Sequence, residues 1–429
     1  MKEGAINIGL IGLGTVGSGT FELLQRNSDL IRRRAGCGIN IRRIAVRQKD
    51  KPRSVDVAPD LLTEDAWEIV NDPAVEIVVE VMGGVEPARA LLLSAIEQGK
   101  SVVTANKELL AKHGAQLMDA AREKRVDVNF EGSVAGGIPL ITPLKQSLAA
   151  NRIERVTGIL NGTTNYILTR MAREGLDFDE ALREAQQKGF AESDPSSDVD
   201  GHDAAYKLAI VSAIAFGSRI PVEEIFREGI SRIRIQDIRY AAELGYVIKL
   251  LAIAQSESEG FELRVHPTLL PVEHPLASVS DEFNAIMVEG DGVGRVMFYG
   301  KGAGAGPTGS AVVADIIDTA RNILHGATGR IPCTCDQSLP LRRYEDVKSM
   351  FYFRMLVADR PGVLARIAGI LGEEGVSIAS MIQKGEQGRL AEVVWITHRA
   401  RQKAVDRSIQ RIQETDIVPQ ITNVIHVTE

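Results

Sequence analysis

Short apolar runs alternate with stretches of helical spacing in the first third of the chain. Ile6 to Leu10 is apolar, β-branched and interrupted by glycine, and Val16 to Ile31 then carries apolar residues at helical intervals. Further apolar runs follow at the spacing of successive strands: Ile39 to Val46, Val75 to Met82, and Lys100 to Thr104. The repeated order of strand and helix predicts a doubly wound parallel α/β sheet over residues 1–133.

The pattern changes near Val134. Long helical stretches, Asp177 to Lys188 and Asp203 to Phe216, are mixed with strand-like ones, Val156 to Leu160 and Phe261 to Leu270. This mixture predicts an α+β domain over residues 134–309.

A glycine-dense run, Gly300 to Gly309, leads into a predicted apolar helix from Ser310 to Leu324. We expect this helix to return to the first domain. Pro332 to Glu345 is polar enough for a linker, and residues 310–349 are therefore assigned to a return helix and linker.

The tail, residues 350–429, has the order strand, helix, strand, strand, helix, strand. The predicted elements are Phe351 to Ala358, Gly362 to Glu374, Ser377 to Gln383, Leu390 to Thr397, Ala400 to Glu414, and Ile421 to Val427. This βαββαβ order predicts a ferredoxin-like module large enough to fold alone.

Composition narrows the class of protein. The 429 residues predict two or three domains, and the formal net charge of −7 argues against nucleic acid or an anionic membrane as partner. Cys37, Cys333 and Cys335 are too few for a disulfide framework and lack the second pair that a zinc site needs. The start of the chain is a poor signal peptide, and no apolar stretch reaches the ~20 residues of a membrane span. These features predict a soluble cytoplasmic protein.

The turn after the first strand has the spacing of a dinucleotide-binding fingerprint, GxGxxG. Its residues are Gly12, Gly14, Thr15, Val16 and Gly17. Such a turn brings backbone N–H groups and a helix N-terminus to a pyrophosphate, which makes the first domain a Rossmann-type domain. The second strand ends in Ala45-Val46-Arg47 rather than in an acid, so Arg47 favours NADP(H), and NAD(H) remains open.

Two further stretches carry candidate chemistry. Thr104, Asn106 and Lys107 follow a strand at the carboxyl edge of the predicted sheet, where such folds bind ligands. Between Ala185 and Lys207 several acids cluster, and they need a cation among them such as a substrate ammonium group. Lys207 lies four residues after Asp203, on the same helix face, and enters an apolar helix whose burial would suit it to proton transfer.

The acidic stretch resembles the signature of homoserine dehydrogenases. The matching residues are Ala185, Gly189, Phe190, Ala191, Asp194, Pro195, Asp198, Val199, Gly201, Asp203 and Lys207. The resemblance extends to the fingerprint and to the segments 104–107, 131–139, 158–166 and 302–306. The tail resembles an ACT regulatory domain, so the resemblance covers nearly the whole chain.

The resemblance implies reversible NAD(P)-dependent oxidation of L-homoserine to L-aspartate 4-semialdehyde, in the biosynthesis of threonine, methionine and isoleucine. It implies that Lys207 is the principal acid/base group, with Lys107 assisting. It also implies substrate and cofactor contacts in the catalytic and dimerisation domain, 134–309. The implied substrate-binding residues are Glu192, Asp198, Asp203, Gly162, Thr163 and Lys107, and Gly304 and Gly306 would approach the cofactor.

The resemblance further implies a cation, a regulator and an assembly. Glu131 and the carbonyls of Val134, Gly136 and Ile138 would hold a monovalent cation, Na⁺ or K⁺. Asp359 and Gly362, in the turn of the ACT-like tail, would bind an amino acid; the family implies feedback inhibition by threonine. A homodimer or homotetramer is also implied.

Three interpretations stay open at this point. The residues of the turn around Asp359 and Gly362 also suit an ordinary turn that begins a helix. A second class of function is a non-catalytic amino-acid sensor, which would not need Lys107, Asp203 and Lys207. A different amino-acid or aldehyde dehydrogenase is the alternative within the enzyme class, although no cysteine lies in a candidate motif. Trp67 and Trp395 are predicted to be core or interface residues.

Overall fold

The structure, a computed structural model, describes residues 4–257, 260–331, 333–335, 337, 339–387 and 390–428. These residues form strands β1 to β17 and α-helices α1 to α13. The strands are, in order, Ile6–Ile11, Ile39–Ala45, Leu62–Thr63, Ile77–Glu80, Ser101–Thr104, Val128–Asn129, Ile153–Ile159, Phe226–Arg227, Tyr246–Glu257, Gly260–Pro271, Phe283–Gly290, Gly294–Lys301, Lys348–Ala358, Ile378–Gln387, Leu390–Thr397, Ala400–Arg401 and Gln420–Val427. The helices are Thr15–Arg26, Ser28–Ala35, Trp67–Asn71, Ala88–Glu97, Lys107–Lys124, Gly162–Glu174, Phe178–Gln187, Ser196–Val199, His202–Phe216, Ile235–Glu243, Ala305–Leu324, Val363–Glu373 and Gln402–Gln413.

The chain divides into two compact units. Unit 1 comprises the residues up to Glu154, then Tyr206–Glu223 and Asn284–Leu339; unit 2 comprises Arg155–Ala205, Glu224–Phe283 and the residues from Pro340 onward. The division falls within α9. Residues 134–309, which the sequence pattern groups together, therefore contribute to both units.

Unit 1 contains the predicted parallel sheet, in the order β3-β2-β1-β4-β5-β6. On β1, Ile8 is in register with Ile41 of β2 and with Ile77 of β4, both in parallel pairing. The chain places β2 on one side of β1 and β4 on the other. The crevice at the carboxyl ends of β1 and β4 is therefore the switch point at which such sheets bind ligands.

Two helix boundaries in unit 1 differ from the sequence expectation. The stretch predicted as one helix from Val16 to Ile31 is two helices, α1 and α2, separated by Asn27, whose φ of −106° and ψ of 19° are not helical. An asparagine side chain competes for nearby backbone groups and so favours a helix end over a helix interior.

The helix predicted from Ser310 begins earlier, at Ala305, so part of the glycine-dense run is helical. Proline is tolerated in the first helical turn, where Pro307 lies, because the N–H groups there have no intrahelical partner. A Cβ on Gly309 would lie 2.7 Å from the backbone of Gly19, so α11 and α1 cross in close contact. Val312 and Ile316 of α11 are buried in the core that covers the sheet, as a returning helix requires.

Unit 2 contains the strand order β7-β9-β10-β17-β13-β15-β14. The last four strands, with α12 and α13, form the predicted βαββαβ module, with a core that includes Phe353, Ile367, Trp395 and Val405. The module does not form a separate sheet, since β17 pairs in parallel with β10 at Thr268↔His426 and Leu269↔Val427. The predicted strand and helix order is confirmed, and the module shares a sheet with β10 because both edges of β17 are paired.

The segment predicted as a linker, Pro332 to Glu345, is bound to its surroundings where it is described. Gln337 donates its N–H to the carbonyl of Gly217, and the N–H of Phe261 is bound to the carbonyl of Pro340. Arg342 pairs with Glu262, 3.2 Å away. Residues 332, 336 and 338 lie outside the described part of the chain.

Among all the helices of the described residues, none is both long enough and apolar enough to cross a membrane.

Candidate active site

The fingerprint turn between β1 and α1 leaves space for a ligand. Gly12 has a φ of 104°, and a Cβ there would lie 2.8 Å from the backbone of Val81. A Cβ on Gly17 would lie 2.2 Å from the carbonyl oxygen of Gly12, which explains the glycine requirement at both positions. Nothing lies within 4 Å of the corresponding point on Gly14, and no side chain caps α1. The N–H groups at this helix end are therefore available to an anion.

A cavity of about 920 Å³ extends from this turn along the ends of β1, β2 and β4. Gly12, Gly14, Thr15 and Arg47 line it, together with Trp67. The cavity, the uncapped helix and the glycine turn fit a dinucleotide. Among the described residues the lining of this cavity does not include the other predicted cofactor residues, which are Val16, Gly17, Thr104, Asn106, Lys107, Gly304 and Gly306.

The part of the cavity lining that follows β2 carries charges of both signs. Arg47 is exposed there, Lys51 and Arg53 also line the cavity, and so do the acids Glu64 and Asp65. Trp67 also lines the cavity and is 40% exposed, so it is not a core residue, and its alternative placement at an interface stays a prediction. Trp395, by contrast, is buried at 2% exposure, as predicted.

Glu80, which the sequence analysis missed, organises the loop after β5. It is the last residue of β4 and is fully buried. Its carboxylate accepts hydrogen bonds from Thr104 Oγ1 at 2.7 Å and from the N–H of Met82 at 2.8 Å. Asn106 caps α5 by accepting from the N–H of Leu109 at 3.1 Å. Burial raises the pKa of Glu80. The available signal was an acid at the end of an otherwise apolar strand.

The two candidate lysines lie on neighbouring helices of unit 1. Lys107 is the first residue of α5, and Lys207 lies on α9 at 8% exposure. Lys112 of α5 places its Nζ 5.4 Å from the ring centre of Tyr206, next to Lys207. The helix that carries Lys107 therefore contacts the helix that carries Lys207.

In unit 2, Asn161 joins the predicted substrate carboxylates. Its Nδ2 donates to Asp198 Oδ1 at 2.6 Å and to Asp203 Oδ2 at 2.8 Å. Its Oδ1 caps α6 by accepting from the N–H of Thr164 at 2.8 Å. One amide thus fixes two acids from different segments against the start of one helix. The sequence analysis missed this role, although Asn161 lies within a segment of the family resemblance.

Of the other predicted substrate residues, Gly162 and Thr163 follow Asn161 directly in the chain, and Glu192 lies on a loop of the same unit. Gly162 and Thr163 open α6, and Thr163 Oγ1 donates to the carbonyl of Phe190 at 2.7 Å. Glu192 is exposed on the loop between α7 and α8, and its carbonyl accepts from Gln186 Nε2 at 3.1 Å. Asp203 is buried at 2% exposure in the first turn of α9, one turn before Lys207.

The predicted cation loop has the properties of a site for a hard cation. Val134, Gly136 and Ile138 are buried in a loop where Ala135 and Gly136 have φ of 54° and 42°. The carbonyl oxygens of these three residues have no hydrogen-bond donor in the part of the chain that the structure describes. Glu131 is buried beside them, and its carboxylate accepts from the N–H groups of residues 140, 141 and 142. Buried carbonyl oxygens and one carboxylate fit a monovalent cation.

The predicted regulatory turn lies between β13 and α12 in unit 2. Asp359 is exposed, and Gly362 is the N-cap of α12 with a φ of 90°, which favours glycine. No side chain caps α12, and the N–H of Val363 lies 3.5 Å from the carbonyl oxygen of Arg360 within the turn. Arg360 pairs with Asp416 at 3.3 Å on the exposed side. The turn has the groups needed to bind a small zwitterion.

Three family models match the chain. The model described as homoserine dehydrogenase matches residues 139–317, the homoserine dehydrogenase NAD-binding domain matches residues 12–131, and the ACT domain matches residues 351–416. The chain is similar to a homoserine dehydrogenase from Synechocystis sp., 48% identical over 98% of this chain and 99% of that one. It is also similar to one from Corynebacterium glutamicum, 45% identical over 99% and 96% of the two chains.

Solved structures give the same result. The structure of a homoserine dehydrogenase from Thiobacillus denitrificans matches with a TM-score of 0.95 at 46% identity, covering 100% of this chain and 99% of that one. A hyperthermophilic archaeal homoserine dehydrogenase in complex with NADPH matches 73% of this chain and 97% of its own, with a TM-score of 0.63 at 29% identity. Identity at this level over nearly the full length, together with the matched folds, shows that the chain belongs to the homoserine dehydrogenase family.

Proposed function

We propose that the chain interconverts L-homoserine and L-aspartate 4-semialdehyde with NADP(H) as the preferred cofactor, and that its ACT region binds threonine as a feedback inhibitor. The reaction is a step in the formation of threonine, methionine and isoleucine. Membership of the homoserine dehydrogenase family supports the reaction. Family membership does not specify the preferred cofactor, the regulator or the roles of individual residues. Contacts within this chain support each of these parts of the proposal.

The observation that carries the proposal is a pair of carboxylates held by Asn161, one of which lies one helical turn before a buried lysine. Asp198 and Asp203 are both held by the Asn161 amide, and Asp203 precedes Lys207 on α9. An amino-acid substrate brings an ammonium group, which carboxylates bind, and a hydroxyl group, whose proton a lysine can exchange. Both functions meet on one short stretch of chain.

The protein supplies a proton and orientation. When bound, the nicotinamide supplies the hydride in aldehyde reduction and accepts it in alcohol oxidation. Lys207 donates a proton to the oxygen as negative charge develops there, and in oxidation neutral Lys207 removes the hydroxyl proton. Asp203 orients the substrate and Lys207, and Lys107 assists the proton transfer. Glu192 accepts hydrogen bonds from the substrate ammonium, and Gly162 and Thr163 line the substrate site.

Arg47 supports NADP(H) over NAD(H). It follows the end of β2 in the dinucleotide cavity, where an NAD-specific site carries an acid for the ribose 2′-hydroxyl group. A guanidinium group there favours a 2′-phosphate by charge and by paired hydrogen bonds. The complex of the archaeal homoserine dehydrogenase with NADPH is in agreement with this choice.

A monovalent cation would be held by the carbonyls of Val134, Gly136 and Ile138 with Glu131. It would fix the loop in which Ala135 and Gly136 have positive φ. We assign it no step in the reaction. Threonine would bind with its ammonium group at Asp359 and its carboxylate at the N–H groups that begin α12, after Gly362. ACT modules associate through symmetric contacts, which supports a homodimer or homotetramer.

Initial rates at 340 nm test the proposal. The full chain is assayed with L-homoserine and NADP⁺ or NAD⁺, each with and without millimolar L-threonine. We expect a homoserine-dependent rate that is higher with NADP⁺ and that falls with threonine. No rate with either cofactor would contradict the reaction, an NAD⁺ preference would contradict the role of Arg47, and a rate insensitive to threonine would contradict the regulatory assignment.

A further inference from the structure

Cys333 and Cys335 lie together in a part of unit 1 that the proposed reaction does not use. The N–H of Cys335 points to Cys333 Sγ, with 3.3 Å between nitrogen and sulfur. Arg122 Nη2 of α5 donates to the carbonyl of Cys333 at 3.3 Å, and Arg219 Nε donates to the carbonyl of Cys335 at 3.3 Å. Arg219 is itself held by both carboxylate oxygens of Asp119. The two thiols are thus held in one place by side chains of folded elements.

The surroundings of the pair shift the pKa values of the two thiols in opposite directions. The pKa of Cys333 is lowered, first because the Cys335 thiol donates a hydrogen bond to its sulfur, and also because the Cys335 N–H does so and Lys145 and Arg122 are close. The pKa of Cys335 is raised by this hydrogen bond between the two thiols and by burial. Cys333 is therefore the nucleophile of the pair, and Cys335 is the resolving thiol, which can attack a mixed disulfide on Cys333.

A cavity of about 290 Å³ adjoins both cysteines. Its walls are mostly apolar and come from α5 and α9, with Leu110, Met118, Ile210 and Ile214 among them. Both cysteines are partly exposed. Within the described part of the chain no cluster of three or more His, Cys, Asp or Glu side chains is placed to hold a metal ion. The site therefore offers two thiols and space for a small thiol compound, but not a metal-ligand set.

We propose that Cys333 and Cys335 form a redox-active dithiol that is modified by small-molecule disulfides. Cys333, as thiolate, attacks one sulfur of the disulfide; that S–S bond breaks, and one small thiol leaves with a proton from water. A mixed disulfide remains on Cys333. Cys335 loses its proton to water and attacks Cys333 Sγ, and the second small thiol leaves. The two protein thiols are oxidised by two electrons, and the small disulfide is reduced to two thiols.

The chain geometry permits a disulfide bond between Cys333 and Cys335. Two Cα atoms separated by one residue lie at most about 7 Å apart in extended backbone, and a turn brings them into the range of a disulfide. Cys335 lies at a turn. Cys37 is the internal contrast: it is 7% exposed in the core of unit 1, and burial raises its pKa.

The test uses the full chain and oxidised glutathione as the probe, at neutral pH, with later alkylation of the remaining thiols. Cleavage by trypsin after Arg330 and Arg342 gives a peptide that contains both cysteines. We expect this peptide to become about 2 Da lighter than its reduced form and to carry no glutathione, as an internal disulfide requires. Cys37 should stay reduced. A peptide that stays reduced would overturn the proposal.

Serine variants separate the two roles. Cys335→Ser should keep glutathione on Cys333, because the second step is removed, whereas Cys333→Ser should react at least about tenfold more slowly. Equal rates of the two variants would contradict the assignment of the nucleophile. The wild-type chain gives a test that needs no substitution: iodoacetamide should alkylate Cys333 at lower pH than Cys335. Lys145→Met should move the Cys333 profile to higher pH, and Lys124→Met, at an exposed lysine, should not.

Discussion

Lys207 combines burial with a position one turn after Asp203, which no other lysine of the site does. We expect Lys207→Ala to reduce kcat by about 10²-fold or more, because it removes the group that exchanges the proton. Binding of NADPH, followed by fluorescence, should be largely unchanged. Lys124→Ala, at an exposed lysine at the end of α5, is the control and should keep full activity. Retained turnover in Lys207→Ala would exclude Lys207 from the mechanism.

Arg47 is predicted to decide the choice of cofactor. Arg47→Ala should raise KM for NADP⁺ by about tenfold or more and leave KM for NAD⁺ nearly unchanged, since a charge-assisted hydrogen bond contributes about 1.5–3 kcal/mol. Lys49→Ala is a matched control, because Lys49 is exposed nearby but does not line the cavity among the described residues. Equal losses with both cofactors would show that Arg47 does not distinguish them.

Residues with chemically reactive side chains can be predicted from the sequence. Residues that act by holding other side chains in place are much harder to predict. Lys207 and the acids around it are recognisable because charges in an apolar context need an explanation. Asn161 and Glu80 gave little signal, since each acts through partners that are distant in sequence: Asn161 binds acids 37 and 42 positions away, and Glu80 binds Thr104, 24 positions away. Such contacts depend on which elements the fold brings side by side.

A buried ionic network joins α10 to the strands of the ACT region in unit 2. Arg354 of β13 donates to Asp237 Oδ1 at 2.7 Å and to Glu392 Oε1 at 2.9 Å. Asn423 of β17 also donates to Asp237, at 3.0 Å. Asp237 is fully buried and Arg354 is 5% exposed. The cost of placing these charges in the interior is offset only while every partner is present.

Arg354→Met should therefore destabilise the protein by about 3–5 kcal/mol, because it leaves two acids without their cation. Thermal unfolding should show a melting temperature lower by several degrees. The double variant Arg354→Met/Asp237→Leu should recover part of this loss. Arg360→Met, which removes an exposed pair with Asp416, is the control and should change stability by less than about 1 kcal/mol. Similar effects of Arg354→Met and Arg360→Met would contradict the network.

Two stacked histidines lie where β10 and β17 meet. His266 and His426 have ring centres 3.9 Å apart, and both are buried. Burial lowers the pKa of His266 to about 3, and burial with the neighbouring His266 lowers the pKa of His426 as well. Below pH 6.5 the unfolded chain binds protons that the folded chain does not, so stability is lost as the pH falls from about 6.5 towards 3.

Between pH 7.5 and 5.5 we expect a loss of about 1 kcal/mol per histidine, measured as a fall in melting temperature. His266→Phe keeps the ring against His426 and should reduce this dependence. His398→Phe, at an exposed histidine of the same unit, should leave it unchanged. A wild-type melting temperature that does not fall over this range would show that neither histidine is held neutral by the fold.

Element identity was more predictable than element limits. Apolar periodicity located the strands of the parallel sheet and the βαββαβ order of the tail. It missed the break at Asn27 and the start of α11 at Ala305, because both depend on local backbone geometry. Within α11, Gly309 also approaches Gly19 closely, a contact between residues 290 positions apart in the chain that no local pattern contains.

For the whole chain, the pairing of β17 with β10 changes how the ACT region has to be tested. The sequence predicted a module that could be removed, since its βαββαβ pattern is complete in itself. In unit 2, however, β17 pairs with β10, and Asp237 of α10 depends on Arg354 of β13 for its charge partner. Deleting residues 350–429 would expose an edge of β10 and leave Asp237 without that cation. A truncated chain would thus confound regulation with stability.

A single substitution at the regulatory turn avoids this difficulty. Asp359 is exposed and is not a member of the buried network around Asp237. The variant Asp359→Ala should therefore leave kcat and the melting temperature unchanged. Its loss should raise the threonine concentration for half-inhibition by about tenfold or more, because a carboxylate partner of the ammonium group is removed. Glu373→Ala, at an acid of α12 that pairs with Arg411, is the matched control. If Asp359→Ala is inhibited by threonine as strongly as the wild-type chain, threonine does not bind at this turn, and the family resemblance of the tail would then report its fold but not its ligand site.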